Sequence, residues 1–324
     1  MCSKAMTYSW RESGRDIVPI WISSRADAVR SLQVPEILLG NPGVCPEEGV
    51  FVPKLRHRAA HFALRKLGMF DRSYREKIDG RTFVIPIING RKTYASEPWM
   101  SDVLRHLFAR KSGAFIDVGV NLGQTLIKVA AIDPAREYVG FEPNPACVDY
   151  AWKLIEKNQL PYTVIPAGVS ADTTLLNLEM FRADDTDPSA SIIPNFRANV
   201  VSRRPVLVMN PADLPEGVLP DEIAVVKIDV EGGELFVIEG LLELLQKRRP
   251  FLVVEILPAA DSERMERQEN IERHLRELDY RLYRIRRSAG ESFQSFESIQ
   301  TIGTHKDLES CDYVFAPREA PVLD

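Results

Sequence analysis

A chain of 324 residues exceeds one typical domain, but a single α/β domain with an extension fits that length as well as two domains do. Its 45% hydrophobic and 27% charged residues describe a globular protein that can bury a sizeable core without crosslinks or metals. The net charge of −5 argues against a general nucleic-acid binder, which would need a basic face. No run approaches the roughly 18 apolar residues of a membrane-spanning helix.

The opening MCSKAMTYSWRESGRD has no apolar core of the kind a secretory signal needs. Cys2, Cys45, Cys147 and Cys311 are scattered without a CxxC pair, so a reducing, cytoplasmic compartment is expected rather than a disulfide frame or zinc site. Periodicity is weak through residue 45, and NPGVCPEEG, 41–49, reads as a loop. RHRAAHFALRKLG, 56–68, is a basic helical candidate with Ala59, Phe62, Ala63 and Leu67 on one face. It either covers one edge of the domain or helps to hold an anionic substrate. RTFVIPIING, 81–90, has the pattern of a short hairpin, and a helix follows through Trp99, Val103 and Leu107. The organisation expected is an extension over residues 1–77 and a main domain over 78–324.

From Gly113 onward short β-rich runs alternate with helical segments: AFIDVGV, EYVGFEP, YTVIPAGV, AVVKIDV and FLVVEIL. Between them lie CVDYAWKLIEKN, with Val148, Trp152 and Ile155 at helical spacing, and ELFVIEGLLELLQ, with Leu235, Ile238, Leu242 and Leu245. Nearly continuous apolar strands separated by helices predict a parallel sheet covered on both faces. YRLYRI and DYVFAP have no helix between them and read as a closing antiparallel pair. RADDTDPSASIIPNFR, 182–197, is polar and proline-broken, either a lid over a site or a flexible connection.

In such a sheet ligands bind beyond the carboxyl ends of the strands, where strand order reverses, so the turn in AFIDVGVNLGQT carries the first clue. A dinucleotide site would show GxGxxG, whereas Gly119 and Gly123 are spaced GxxxG and no P-loop lysine follows. Asp117 would repel a pyrophosphate and attract a cation, and S-adenosylmethionine carries both an ammonium and a sulfonium. Glu142 ends the next strand nineteen positions after Gly123, the usual place for an acid that binds ribose hydroxyls. The bland alternative has Asp117 capping the next helix and the glycines only permitting close packing.

AVVKIDVEGGELFVIEG places Lys227, Asp229, Glu231 and Glu234 around the end of the fourth strand, and the fifth ends at Glu255. So many acids at one end of a sheet are costly unless solvated, paired or engaged, and Glu255 is either functional or paired with Lys227 or an arginine. FIDVGVNLGQT, GFEPNP, KIDVEGGE and PFLVVEI together resemble the FkbM family of class I methyltransferases, over roughly residues 80–318. Val120 stands where that family usually has alanine. The resemblance implies a Rossmann-like α/β fold with a mostly parallel seven-stranded sheet, an antiparallel last strand and helices on both faces. It implies methyl transfer from S-adenosylmethionine, most often to an oxygen of a sugar, glycolipid or polyketide-type small molecule. By position Asp117, Gly119, Asn121 and Gly123 would line the methionine half of the cofactor, with Gln124 and Thr125 at its carboxylate end. Glu142 would hold the ribose with help from Asn144, Gly168 and Val169 would lie against adenine, and Glu97 would approach from the N-terminal side.

Transfer to a hydroxyl needs a base within hydrogen-bond reach. Asp229 is the first candidate; Glu231 is the second or positions a hydroxyl, and Glu255 completes the carboxylate group. These three could hold a divalent ion, but no spacing resembles a dedicated metal loop and no metal is assigned. Of the five histidines, His57 and His61 sit on the basic helix, His106 and His274 on others, and only His305 is placed to reach an open site. Ser189 and Ser191 are candidates to hydrogen-bond a polyol acceptor. The competing readings are an NAD-dependent oxidoreductase on a similar sheet, and a cofactor-binding module without catalysis. No oligomeric state is assigned.

Overall fold

The computed structural model describes residues 72–288, 292–303 and 308–323. The chain divides into Met1–Pro53 and Lys54–Asp324, and all the described residues belong to the second unit. The basic helix candidate at 56–68 and His305 lie outside the described residues.

The first described element is a hairpin of β1 (Arg72–Ile78) and β2 (Arg81–Ile87), paired antiparallel from Arg72↔Ile87 to Ile78↔Arg81. Asp79 and Gly80 form its turn with φ of 47° and 85°, the left-handed pair that a two-residue hairpin turn demands. The hairpin expected over 81–90 is therefore displaced. RTFVIPI is its second strand, and Asn89-Gly90 closes only a single Ile88↔Arg91 bridge. The expected domain boundary after residue 77 cuts through β1, so the hairpin belongs whole to the main domain.

Helix α1 (Pro98–Phe108) buries Trp99, Val103 and Leu107 completely, as their spacing required. The βα alternation follows: β3 (Ala114–Val118), α2 (Gln124–Ile132), β4 (Tyr138–Phe141), α3 (Pro145–Asn158) and β5 (Thr163–Ile165). After two short excursions come β9 (Ile223–Ile228), α4 (Glu234–Arg248), β10 (Phe251–Glu255), α5 (Ser262–Glu277), β11 (Tyr280–Arg287), β12 (Phe293–Ile299) and β13 (Asp312–Pro317). The main sheet runs β12-β11-β13-β10-β9-β3-β4-β5. Strands β10, β9, β3, β4 and β5 pair parallel, and β13 is inserted antiparallel between β10 and β11. The expected antiparallel pairing of YRLYRI with DYVFAP is present, and the edge strand β12 adds an eighth strand to the seven anticipated.

Both faces of the sheet are covered, which is why its strands are apolar throughout. Phe115 packs with Trp99, Leu126 and Leu154 on one face, while its neighbour Ile116 packs with Ile238, Leu245 and Leu275 on the other. Among the described residues no helix is long and apolar enough to cross a membrane.

YTVIPAGV does not form one strand. Pro166 has no amide hydrogen to continue a ladder. β5 accordingly ends at Ile165, and Gly168–Val169 becomes β6 of a separate three-stranded sheet ordered β6-β8-β7, with β7 (Thr174–Met180) and β8 (Ser202–Met209).

The valine at position 120 has a local cause. A Cβ added at Gly140 would meet Val120 Cγ2 at 2.4 Å and Tyr138 Cε1 at 3.1 Å. The extra methyls of Val120 thus fill space left by the bare backbone of β4. Gly140→Ala should destabilise the fold by about 1–3 kcal/mol, and adding Val120→Ala should restore part of that loss in thermal denaturation. Failure to recover anything would put the crowding on Tyr138 alone.

Candidate active site

Strand order reverses between β3 and β9, and the turn after β3 lies at that point. Gly119 adopts φ 95°, and a Cβ there would sit 2.0 Å from the Asp229 carbonyl oxygen, so no other residue fits between the two strand ends. Asn121, also left-handed at φ 50°, turns its backbone N–H to Glu142 Oε2 at 2.8 Å. The Asn144 N–H donates to Glu142 Oε1 at 2.8 Å. Burial pushes the Glu142 carboxyl up to about 7, against the pull of these two amides.

A cavity of about 360 Å³ opens over this turn. Of the expected cofactor-side residues, Glu97, Gly119, Asn121, Gln124, Thr125, Glu142, Asn144, Gly168 and Val169 line it, and Gly123 does not. Gly123 instead packs so tightly that a Cβ would lie 2.9 Å from Leu154 Cδ2. The Asn144 side chain is spent on structure: its oxygen caps α3 through the Ala146 N–H, and its Nδ2 donates to the Asp185 carbonyl at 2.7 Å.

Asp117 is the main correction to the reading of the turn. It is fully buried and absent from the cavity wall, so it cannot meet a cationic ligand there. The Tyr138 hydroxyl donates to Asp117 Oδ2 at 2.7 Å, and Lys227 Nζ lies 3.4 Å from Oδ1. Nor does Asp117 cap α2, whose N-cap is Gly123, with no side-chain cap bond.

Lys227 is the group to which the sequence reading gave no settled role. From β9 its ammonium reaches Asp117, Asp229 Oδ2 at 3.1 Å and the Gly119 carbonyl at 3.1 Å. Glu255, offered Lys227 or an arginine as a possible partner, instead shares a hydrogen bond with Asp229. Burial opposes charge on Asp229, but Lys227 and the Glu255 hydrogen bond hold its carboxyl below the usual range. Burial, then the Asp229 charge, pushes Glu255 up to about 10. One ionised and one protonated carboxyl thus stand side by side, the division of roles that acid–base chemistry uses. Among the described residues no group of three His, Cys, Asp or Glu side chains is arranged to hold a metal ion.

Glu231 lines the cavity and forms an ion pair with Arg197; burial and Asp229 raise its carboxyl to about 7. Glu234 is turned away, accepting the Gly232 N–H at 2.8 Å.

The insertion at 182–197 packs against the rest of the domain. Its Phe196 ring packs where a Cβ on Gly232 would lie, 2.3 Å away, and Arg264 stacks over that ring. Arg91 pairs with Asp184 and Asp185 at 3.0 Å each, and Arg204 also binds Asp185. The two serines do not face the cavity. Ser189 Oγ donates to Asp187, and Ser191 Oγ, almost fully buried, donates to the Glu231 carbonyl at 2.7 Å. Neither hydroxyl is placed for an acceptor. The apolar wall of Phe141, Leu178, Ile192 and Val230 went unread. Leu178 lies on β7, a strand not anticipated from the sequence, and Ile192 lies in the insertion that was read only as polar and proline-broken.

Glu255 makes the site sensitive to pH. The folded chain keeps its proton between 4.5 and about 10 whereas the unfolded chain loses it near 4.5, so stability falls as pH rises across that window. Glu142, Glu231, Glu234 and Asp312 complete their part of this fall near 7. Glu255→Gln should therefore flatten the decline of Tm from about pH 7 to about pH 9 and leave the acid side little changed. An unaltered slope would mean that Glu255 is ionised in the folded protein.

The methyltransferase FkbM domain matches residues 117–282, just over half of the chain. Among solved structures, the chain is similar to methyltransferase FkbM from Methylobacillus flagellatus KT, at 14% identity over 63% of this chain and 43% of that one, with a TM-score of 0.41. It thus spans less than half of that relative's length. A SAM-dependent O-methyltransferase from Thermotoga maritima shows 15% identity over 72% of this chain and 76% of that one, with a TM-score of 0.35. The tRNA (uracil-54, C5)-methyltransferase of Pyrococcus abyssi shows 11% identity over 75% and 43%, with a TM-score of 0.38. No curated protein matches the chain. Likenesses this slight carry no argument about activity, whereas the domain match takes in the β3 turn, Glu142 and the whole of KIDVEGGE. The chain belongs to the FkbM methyltransferase family.

Proposed function

We propose that this protein transfers a methyl group from S-adenosylmethionine to a hydroxyl of a small, hydroxyl-rich acceptor. One observation carries the reading: a buried Glu142 at the end of β4 and an Asp229 held ionised at the end of β9 line the same cavity. The cavity chemistry fits the cofactor. Each Glu142 oxygen accepts one backbone N–H and keeps a lone pair for a ribose hydroxyl. Phe141, Val169 and Leu178 give a purine an apolar surface, and Gly119 leaves the turn open to close backbone approach.

When bound, the cofactor supplies a methyl on a sulfonium, open to in-line displacement. Asp229 accepts the proton of the acceptor hydroxyl, and Glu255 keeps its own proton and fixes the Asp229 carboxylate through it. Lys227 offsets the carboxylate charge from beneath, so that burial does not neutralise the base. Glu231, oriented by Arg197, is free to accept a second acceptor hydroxyl. Ile192 and Leu178 on the cavity wall keep water from that side. Among the described residues the acceptor side offers carboxylates, and its one lysine, Lys227, is already paired, which suits a neutral polyol better than a phosphorylated group.

Calorimetric titration should show micromolar adenosylmethionine binding, weakened at least about tenfold by Glu142→Ala. Binding of NAD in its place would overturn the reading. Asp229→Asn should retain cofactor binding and lose at least about a hundredfold in transfer to an acceptor found by screening with labelled methyl donor. Transfer at the wild-type rate would remove Asp229 as the base.

A further inference from the structure

The row of charges at the strand ends does not stop at the base. Phe115, Val225, Val253 and Val314 all face the core beneath α1. Asp117, Lys227, Glu255 and Asp312 each lie two residues from one of them and so share that face. Strand β10 runs between β9 and β13, and its Glu255 stands directly opposite Asp312. Glu255 therefore has Asp229 on one side and Asp312 on the other.

Asp312 is buried, and its Oδ2 takes the guanidinium of Arg287, from β11, at 3.0 Å. That guanidinium lies 5.2 Å from the centre of the Trp99 ring, which is fully buried at the start of α1. Across the sheet the order is Lys227, Asp229, Glu255, Asp312, Arg287: three carboxyl groups in line between two cations. Neither Asp312 nor Arg287 lines the cavity.

Opposed residues of an antiparallel pair bring their Cβ atoms to about 4.5–5.5 Å, so a charge on Asp312 bears directly on Glu255. A carboxyl set between two carboxylates at such range keeps its proton. Burial, then Asp229 and Asp312, oppose ionisation of Glu255, and Glu231 adds to them. Burial pushes the Asp312 carboxyl up to about 7 against the pull of Arg287; Glu97 and Asp229 add to the push, and Lys227 to the pull. Asp312 thus gains its charge near neutrality, and from there upward it resists loss of the Glu255 proton.

We propose that Arg287 and Asp312 form a second charge clamp on the acid–base pair, positioning Glu255 as the hydrogen-bond donor to Asp229. Arg287 engages Asp312, which leaves Asp229 as the acceptor for the Glu255 hydroxyl. The inference rests on the reading of Asp229 as the base and adds the residues that set its partner.

The test is carboxyl carbon-13 NMR of the full chain labelled at glutamate Cδ, titrated from neutral to strongly alkaline pH and down to the acid side. Loss of a signal in Glu255→Gln assigns the residue. The wild-type signal should titrate near pH 10. Asp312→Asn should lower that midpoint by at least about one pH unit, a tenfold gain in acidity, and Asp312→Glu should keep most of it. An unchanged midpoint in Asp312→Asn overturns the proposal and marks the pair with Arg287 as structural only. So does an equal fall in Asp312→Glu, which would lay the shift to disturbed packing. If Asp312→Asn does not fold, the double variant Asp312→Asn/Arg287→Gln, which removes both charges together, decides by the direction of the same shift. A wild-type Glu255 that titrates in the ordinary carboxylate range would instead strike the division of protons between Asp229 and Glu255, and this inference with it.

Discussion

One buried ammonium joins the halves of this domain. Lys227 leaves β9 and reaches, within 3.4 Å, the Asp117 carboxylate of β3, the carbonyl of Gly119 in the turn beyond β3, and Asp229 on its own strand. An isolated charge in such surroundings would be expelled or neutralised, so each partner is a condition for the others. The bracket spans the place where the sheet reverses its strand order, fixing the turn that shapes the cavity floor against the strand end that carries Asp229. It also divides the protons of the site: with Lys227 beneath it Asp229 stays charged, and with Asp229 charged Glu255 stays neutral.

The cavity is assembled from two sheets of unlike character. The large one supplies polar groups at its strand ends, where chain direction forces them together. The small sheet of β6, β8 and β7 supplies apolar surface and a long connection seated against the Gly232–Gly233 turn. That connection carries three aspartates: Arg91 and Arg204 tie Asp184 and Asp185, and Asp187 accepts the N–H groups of Phe181, Arg182 and Ser189 within the loop itself. Its acid content is thus cross-bracing, and its polar sequence hides a packed wall.

Much of this was legible in the sequence. Alternating apolar strands and helical stripes specified a covered parallel sheet, and Trp99, Val103 and Leu107 are buried as their spacing required. The β3 turn, Glu142, Asp229 and Glu255 line the cavity because strand ends are where such a sheet places them. What escaped depends on partners distant in the chain. The role of Asp117 turns on Tyr138 and Lys227, which strand neighbours bring to it and no local pattern announces. Trp152 has the spacing of a core residue yet is 49% exposed, its Nε1–H bound to the Val164 carbonyl, because the buried stripe of α3 runs through Cys147, Val148, Ala151 and Leu154. Ser189 and Ser191 looked available because a hydroxyl's neighbours are set by the folded loop and cannot be read from its composition.

The place of β13 bears on how the chain acquires its shape. It is made after β11 and β12, yet it must enter between β10 and β11, pairing with both. Until then β10 and β11, in the middle of the future sheet, have open edges, each able to pair with another nascent chain. Completion waits on a late, long-range insertion, the kind of step that makes β-rich folding slow and exposes intermediates to aggregation. A ribosome stalled before Asp312 would therefore hold a domain whose β3 turn is already made and whose sheet is still divided.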